Sequence, residues 1–560
     1  MDGPSGPASE PYDWGLPGPE PAEKHSLESL GEGSVIALVG QLVTIAAVFG
    51  ARVLLVRNLS NAEFGALTVG LSLTTLLGTV VSLGIPTAVA RQIAHTTDIR
   101  ERRRIVRNSL GIILVCAAVT IVGLELGAGP IARLIGIGDL DVVLQFLAVT
   151  LGMGLVAGVM ASFFQGLEDV RPNTLFNSIL SPILTLAFLV AVFQGRLGLD
   201  GALLAYLGSA TLTLVLLSAY SVRHARDLDR VVRARSLDPR ASQDVRLHSV
   251  RDLLLFSLPL SLVTLASTTT GNFDTLIVGI FDSGQVSAYS AVLPLAKLCT
   301  LAVGSLSYIM LPVAARLHRN GDLEELRRSY ATITKWILLG SVPFFLLFAF
   351  LPVSSLALVY GSAKVASPPY AQAGIVLDIT VTGAFISTLA GPSPSVLVGL
   401  GRVRDLAINT GVGALSDVVL SLALVPPFGM VGAAVAFSTS LALPPVLCAI
   451  QTYRLARVHP VREAVLRPLA ALGGPALLAL AILAIFHPVA ESPVLLVVLF
   501  FLLAGGYLLA IPATRSLEQE DAHLLRVAEN YLGRDLSFLR VLLAPFVRKE
   551  GGEGPIPPSG

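Results

Sequence analysis

Five ionisable side chains lie well inside long apolar stretches of this sequence. They are Arg52, Asp274, Lys297, Asp378 and Asp417. A charge at membrane depth costs at least about 2.5–3.5 kcal/mol on insertion scales, so each of them needs water, a partner or a task. Cations in a wet cavity offset the desolvation of a phosphate, whereas a buried carboxylate can take up a proton or Na⁺. These five residues are therefore the first candidates for chemistry.

Each charge also has a purely structural interpretation. Arg52 is near enough to a helix end for its long side chain to reach the membrane surface. Asp378 and Asp417 are placed where each could cap a broken or tilted helix. Asp274 and Lys297 lie deeper in their spans, which favours a position on a cavity wall for both.

The elements that carry these residues are membrane helices. Hydrophobic residues make up 53% of the chain and charged residues 14%, whereas soluble domains carry about 25% charged residues. A bilayer core needs roughly 20 apolar residues of helix, which predicts an all-α polytopic membrane protein of fourteen spans. The spans lie near 34–56, 66–90, 109–127, 142–164, 174–193, 199–221, 252–281, 287–314, 333–358, 371–397, 405–425, 430–451, 466–487 and 492–512.

The membrane unit occurs twice in the chain. Residues 56–66 follow the first span, and the similar residues 278–288 follow the seventh; a second pair of similar segments keeps the same order. Duplicated six-span bundles are typical of transporters that rock one half against the other. Arg52 and Asp274 are equivalent positions in the two repeats, so we expect them to form a gate or an ion pair between the halves.

The distribution of basic residues predicts the orientation. With the N-terminus inside, the cytoplasmic loops collect most of the Lys and Arg, and the opposite loops collect only Arg57, Arg133, Arg196 and Lys364. This positive-inside pattern places both termini in the cytoplasm. In that orientation all five in-span charges lie in the outward half of the membrane, about 6–15 Å from an outer helix end at 1.5 Å rise per residue.

Composition shifts divide the chain into six predicted regions. They are a disordered, acidic, Pro/Gly-rich cytoplasmic tail (1–32), an N-lobe of spans 1–6 (33–222), a basic cytoplasmic linker (223–251), a C-lobe of spans 7–12 (252–453), spans 13 and 14 (454–512), and a cytoplasmic amphipathic segment with a disordered end (513–560). The first tail lacks an apolar core segment, so it is not a signal peptide.

Several segments carry a family resemblance. Residues 56–71, followed by 82–91, resemble the flippases of lipid-linked oligosaccharides and polysaccharides in the multidrug/oligosaccharidyl-lipid/polysaccharide exporter superfamily. Residues 256–260, 272–274 and 288–290 resemble the start of the second half in that family. The resemblance implies two six-helix bundles around a central cavity, with two further C-terminal helices.

The resemblance also implies a function and a set of site residues. It implies transport of a polyprenyl-linked glycan across the cytoplasmic membrane, with membrane lipids and glycan-assembly enzymes as partners. For the substrate headgroup and the cavity we predict Arg52, Lys297, Asn272 and Gln41. For the coupling ion, a proton or Na⁺, or for the gate we predict Asp274, Asp378 and Asp417. Asn272 and Gln41 have a structural alternative, which is a hydrogen bond to a neighbouring helix.

The sequence lacks the motifs that are typical of other functional classes. The sequence contains no phosphate-binding G-x-x-x-x-G-K-[ST], H-E-x-x-H or G-x-S-x-G pattern, so we predict no enzyme, no catalytic residue and no nucleic-acid partner. Its three cysteines all lie in apolar spans and predict neither a disulfide nor a metal site. The alternatives are a cation-coupled multidrug exporter and a peptidoglycan lipid-precursor flippase, with a membrane glycan-processing enzyme as a weaker third.

Overall fold

The computed structural model describes three stretches of the chain, in which every regular element is a helix. They are residues 21–235, 261–457 and 498–507, with gaps at Leu83, 97–98, Glu168, Val170 and Leu499. Span 13, most of span 14, the tail to residue 20, the end of the predicted linker and the segment 513–560 lie outside the described residues.

The first bundle consists of seven α-helices and one π-helix. They are α1 (Pro21–Asn58), α2 (Asn61–Val81), α3 (Ile85–His95), α4 (Ile99–Ile135), α5 (Leu140–Gly166), the π-helix Asn173–Leu180, α6 (Ser181–Gln194) and α7 (Gly198–Arg235). Helix α1 begins at Pro21, inside the tail predicted for residues 1–32, and its proline stands at a position that helices tolerate.

The second bundle follows the linker and contains several shorter helices. They are α8 (described over 261–269), α9 (Phe273–Phe281), α10 (Val286–Leu298), α11 (Leu301–Asn320), α12 (Leu323–Phe350), α13 (Pro352–Tyr360), α14 (Ser362–Val365), the 3₁₀ turn Tyr370–Gln372, α15 (Ala373–Leu389), α16 (Ser393–Gly399), α17 (Val403–Phe428) and α18 (Met430–Ala456). One more helical stretch, α19, is described over residues 500–507.

Ten helices in the described part of the chain are long and apolar enough to cross a membrane. They coincide with ten of the fourteen predicted spans, and the total of fourteen is not confirmed. The predicted turn between spans 11 and 12 is narrower than expected. Pro426 and Pro427 lie within the last turn of α17, and the chain reverses at Gly429, whose φ is +57°.

Five of the predicted spans are interrupted within the described residues. The interruptions lie between Val81 and Ile85, at 270–272, at 299–300, at Leu351 and at 390–392. Three of them contain a glycine with positive φ, namely Gly84, Gly271 and Gly391, a conformation that is strained for other residues. Each break leaves backbone groups to be satisfied by side chains inside the bundle. At the break after α15, the hydroxyl of Tyr330 donates to the carbonyl of Ala390 at 2.8 Å.

The two bundles pack against each other mainly at one end. This end carries the turns at 58–61, 136–139, 195–198, 282–285 and 428–430 and is called the predicted outer end below. A continuous buried apolar cluster crosses the interface, with Val69 of α2 and Val278 of α9 among its members. Gly279 of α9 lies so close to α2 that an added Cβ would be 2.8 Å from Cγ2 of Val69.

Candidate functional site

Asp274 lies in the first turn of α9, directly after the break at 270–272, and is fully buried. Its carboxylate accepts a short hydrogen bond from the hydroxyl of Tyr289 on α10. It also accepts one from the backbone N–H of Thr275 at 2.6 Å. A buried carboxylate needs such donors, because burial without them is costly. The pairing of α9 with α10 thus holds this acid at a fixed place inside the second bundle.

Asp417 on α17 is a second fully buried acid near the first. One of its oxygens accepts from the hydroxyl of Ser440 on α18 at 3.1 Å, and its other oxygen, Oδ2, has no hydrogen-bond partner. Asp274 and Asp417 are close enough for their charges to interact, and Tyr289 interacts with both. We call Asp274 and Asp417 the acid pair. Two carboxylates and a hydroxyl are the oxygen donors that a proton or a hard cation uses.

Arg52 makes its contacts across the interface between the bundles. Its Nη2 donates to the carbonyl of Ser290 on α10 at 3.1 Å, and its guanidinium carbon lies 5.1 Å from the centre of the Phe64 ring. Its Nε is buried without a partner. No ion pair joins Arg52 to Asp274, although both side chains are described. Equivalence in a repeat gives corresponding positions and not contact, so the alternative of a gate between the two halves stays a prediction.

Lys297 lies in the last turn of α10, in the middle of its predicted span. Its side chain is exposed, although the charges of Arg52 and Asp274 both act on it. Its Nζ would be 4.0 Å from a Cβ added to Gly271, so the ammonium group lies beside the break between α8 and α9. Arg52 and Asp274 both lie near enough to Lys297 for their charges to act on it, and we call these three residues the charge cluster.

Of the two polar residues predicted for the cavity, Asn272 and Gln41, only Asn272 lies near the charge cluster. The side-chain amide of Asn272 donates to the carbonyl of Thr268 at 2.8 Å, which satisfies a backbone group freed by the helix break. Gln41 is exposed, and it lies three turns of α1 away from Arg52. The structure brings Asn272 next to Asp274 and leaves Gln41 apart.

Asp378 lies at a separate place in the second bundle. It lines an apolar groove of about 540 Å³ between α15 and α18, together with Ile379, Ser438 and Leu443. Its Oδ1 is buried without a hydrogen-bond partner. Since the acid pair lies between α9, α10 and α17, the prediction that grouped Asp378 with Asp274 and Asp417 joins residues from two different places.

Sequence reasoning overlooked three residues of the second bundle. Tyr289 and Ser440 hold the acid pair, but a tyrosine or serine in an apolar span carries no signal of its own. Lys335 on α12 is fully buried, and it was overlooked because it lies at the edge of its predicted span. The signal for Tyr289 was its place in the segment 288–290, which the family resemblance already used.

Comparison with known proteins assigns the chain to a family. A family model described as "Polysaccharide biosynthesis protein" matches residues 30–318. The chain belongs to this family. A second model, MatE, matches residues 259–423 of this polysaccharide biosynthesis family member. Both matches cover residues of the charge cluster.

Solved structures share the fold of this family member. A structure titled "Lipid II flippase MurJ, inward closed conformation" matches with a TM-score of 0.65 at 12% identity, over 85% of this chain and 97% of that one. An inward-facing multidrug resistance MATE family transporter of the MOP superfamily matches with a TM-score of 0.59 at 14% identity, over 76% and 98%. At these identities the likeness shows a common fold, that of transporters and flippases.

Two further proteins are similar to the chain. A MOP superfamily transporter from Pyrococcus furiosus matches in structure with a TM-score of 0.52 at 15% identity, over 77% of this chain and 96% of that one. An uncharacterized membrane protein of Methanocaldococcus jannaschii, MJ1068, is 21% identical over 188 residues, which is 33% of this chain. The chain spans 36% of the length of that relative.

Proposed function

We propose that this protein is a flippase that moves a polyprenyl-linked glycan precursor across the cytoplasmic membrane. The family's description as a polysaccharide biosynthesis protein supports a glycan as cargo. The fold shared with a protein titled a lipid II flippase supports a lipid-linked form of it. Two bundles with a charged interface suit alternating access, in which one bundle rocks against the other. Enzymes of glycan assembly would supply and consume such a cargo.

The observation that carries this proposal is the pair of cations at the bundle interface. Lys297 makes no hydrogen bond within the described part of the chain, and Nε of Arg52 is unpaired. The headgroup of a polyprenyl-linked glycan carries a phosphate or diphosphate, which accepts charge-assisted hydrogen bonds from both residues. The polyprenyl chain remains in the lipid while the headgroup crosses. Asn272 and Gln41 remain candidates for contacts with the sugar.

We further propose that the acid pair couples transport to an ion gradient. Asp274 and Asp417 are fully buried carboxylates with few donors between them. Two such acids favour the uptake of a proton or Na⁺, because one positive charge relieves their mutual repulsion. Asp378 stands apart from this pair and is proposed as a gate residue only.

The test of the flippase is transbilayer movement of a lipid-linked glycan in liposomes. A fluorescent lipid-linked oligosaccharide is offered to the reconstituted protein, and an added glycan-cleaving enzyme reports how much reaches the outside. We expect Lys297→Gln and Arg52→Gln to slow the movement about tenfold or more, since each removes a hydrogen bond to a charged group. Arg133→Gln, an exposed cation at the end of α4, is the matched control. Movement at the wild-type rate in both cavity variants contradicts the headgroup assignment.

The same liposomes test the alternatives. The match to the MatE model favours a cation-coupled multidrug exporter as the second candidate. Export of a small cationic dye, without movement of any lipid-linked glycan, would replace our proposal with that one. Preferential movement of a peptidoglycan lipid precursor over other lipid-linked glycans would identify the protein as a peptidoglycan precursor flippase. Transport is also measured under an imposed Na⁺ or proton gradient, and the gradient that accelerates it identifies the coupling ion. Asp417→Asn is expected to abolish this acceleration.

The orientation is part of the proposal. The positive-inside pattern supports a cytoplasmic location for both termini, and it puts Arg57, Arg133, Arg196 and Lys364 on the outside. Labelling of an introduced cysteine at Gly138, in the turn between α4 and α5, tests it with a membrane-impermeant reagent. Labelling from the outside of intact cells is expected, and labelling only after permeabilisation contradicts the orientation.

A further inference from the structure

A polar pocket opens at the predicted outer end, where the two bundles meet. Its volume is about 520 Å³, and its lining includes Arg57, Ser60 and Asn61 of the first bundle and Lys364 and Ser367 of the second. The lining contains two cations, one from each bundle, and no acid. We call it the inter-bundle pocket. It is separate from the charge cluster of Arg52, Lys297 and Asp274.

The two cations reach across the interface to the backbone of the opposite bundle. Nε of Arg57 donates to the carbonyl of Val359 at 2.8 Å, and Nη2 donates to that of Leu358 at 3.1 Å. Nζ of Lys364 donates to the carbonyl of Leu59 at 2.8 Å. A guanidinium has five N–H donors and an ammonium has three. Both cations therefore keep donors that these carbonyls do not use.

Within the described residues, no acid lies in ion-pair contact with either of these two cations. The carboxylate of Glu63 acts on Lys364, but it also accepts the backbone N–H of Ser60 at 2.8 Å as part of the cap of α2. Neither Arg57 nor Lys364 forms an ion pair in the described chain. Burial lowers the pKa of Lys364, and the charge of the Glu63 carboxylate only partly offsets this effect.

We propose that the inter-bundle pocket binds a phosphate- or diphosphate-bearing group, and that the bound anion holds the two bundles together at this end. Phosphate oxygens accept bidentate hydrogen bonds from arginine and bind lysine as a point charge. The pocket exceeds the size of one phosphate, so a diphosphate or a phosphate with an attached group fits it. Because one cation comes from each bundle, the complete site exists only while this end is closed. The anion binds the closed form more tightly and thereby favours it.

The proposal does not rest on the transport of a glycan, so it is tested without substrate. Inorganic diphosphate is added to the purified full-length protein in detergent, with sodium chloride at matched ionic strength as the comparison. Spin labels on Gly138→Cys and Ser362→Cys, at exposed positions of the two bundles, report the distance between them at this end. A second arm uses lipid nanodiscs of phosphatidylcholine with or without phosphatidylglycerol.

We expect diphosphate to raise the melting temperature and to narrow the distance distribution. Arg57→Gln and Lys364→Gln should each weaken the apparent affinity about tenfold or more, because each removes a charged donor. Arg196→Gln, an exposed cation at the same end that does not line the pocket, should bind as the wild type does. The melting temperatures of the variants without anion show whether they fold.

The two arms distinguish the source of the anion. If only diphosphate narrows the distance distribution, the pocket binds a soluble phosphate group. If only phosphatidylglycerol narrows it, the pocket binds a lipid headgroup. Either response must disappear in both pocket variants. The proposal is overturned if neither anion narrows the distance, or if Arg57→Gln and Lys364→Gln respond as the wild type does. The two cations would then serve only to cap helix ends across the interface.

Discussion

Replacing Gly279 by alanine should push the two bundles apart at the predicted outer end. Gly279 lies on α9 and faces α2 of the other bundle. An added Cβ would lie 2.8 Å from Cγ2 of Val69, and 3.6 Å from Cδ1 of Ile137, which are both side chains of the first bundle. Carbon atoms prefer separations of about 3.5–4.0 Å, so the methyl group overlaps Val69 in the conformation described.

The size of the effect follows from this overlap. Valine has a stiff χ1, so Val69 cannot turn away cheaply. One extra methyl group in a packed interior costs about 1–3 kcal/mol. Since the two atoms belong to different bundles, moving the bundles apart relieves the overlap. A penalty of about 1–3 kcal/mol then changes the ratio of this conformation to a more separated one by about 5–150-fold.

The assay measures the distance between the bundles directly. Spin labels at Gly138→Cys and Ser362→Cys, in a background that carries Cys116→Ala, give a distance distribution by pulsed electron paramagnetic resonance. The other two cysteines, Cys299 and Cys448, are buried. We expect Gly279→Ala to add or enlarge a component at longer distance.

A matched control separates this effect from ordinary overpacking. A Cβ added to Gly340 on α12 would lie 2.9 Å from Cβ of Ala302 on α11, so both atoms belong to the second bundle. Gly340→Ala should lower the melting temperature and leave the distance between the labels unchanged. If Gly279→Ala behaves in the same way as Gly340→Ala, the reasoning is refuted, and the contact between α2 and α9 is not where the bundles separate.

Three further variants test individual contacts. Tyr289→Phe removes the hydroxyl that donates to Asp274 and should cost about 1–3 kcal/mol of stability, measured by denaturation in detergent; an unchanged stability would mean that the acid is protonated or solvated. Gly391→Ala forces alanine to φ +60° and should lower the melting temperature by an amount that corresponds to at least about 1 kcal/mol. Asn409→Ala breaks a reciprocal amide pair with Gln451 at 2.8 and 3.1 Å and should lower the free energy of unfolding by about 1–3 kcal/mol. If the pair acts as a unit, Gln451→Ala should lower it by a similar amount.

The long helices could be predicted because they depend on local properties. A stretch of about 20 apolar residues is visible in the sequence whatever surrounds it. The end of α17 shows how the predicted position of a helix end can still be in error. The predicted spans 405–425 and 430–451 leave 426–429 as the turn between them, but proline can stay in a membrane helix when neighbouring groups satisfy the backbone. Only Gly429, with φ +57°, reverses the chain.

The helix breaks and the contacts of the site could not be predicted in the same way. Gly271 and Gly391 differ in no visible respect from the other glycines of a chain that has 51 of them. Their positive φ depends on neighbours that are distant in sequence. The repeat marked Arg52 and Asp274 as equivalent positions, but it carried no information on their partners. Those partners, Ser290 and Tyr289, are set by the way α10 packs between the bundles.

The interruption of the helices in the second bundle has an electrostatic consequence. Each half-helix has a macrodipole, which is positive at its N-terminus and negative at its C-terminus. Asp274 lies in the first turn of α9, and Lys297 lies in the last turn of α10. Each charge thus lies at the helix end of opposite sign, and each gains about 0.3–1 kcal/mol from it. Exchanging the two residues would keep the net charge of the cluster and reverse both dipole interactions, so the polarity of this site is built into the direction of its helices.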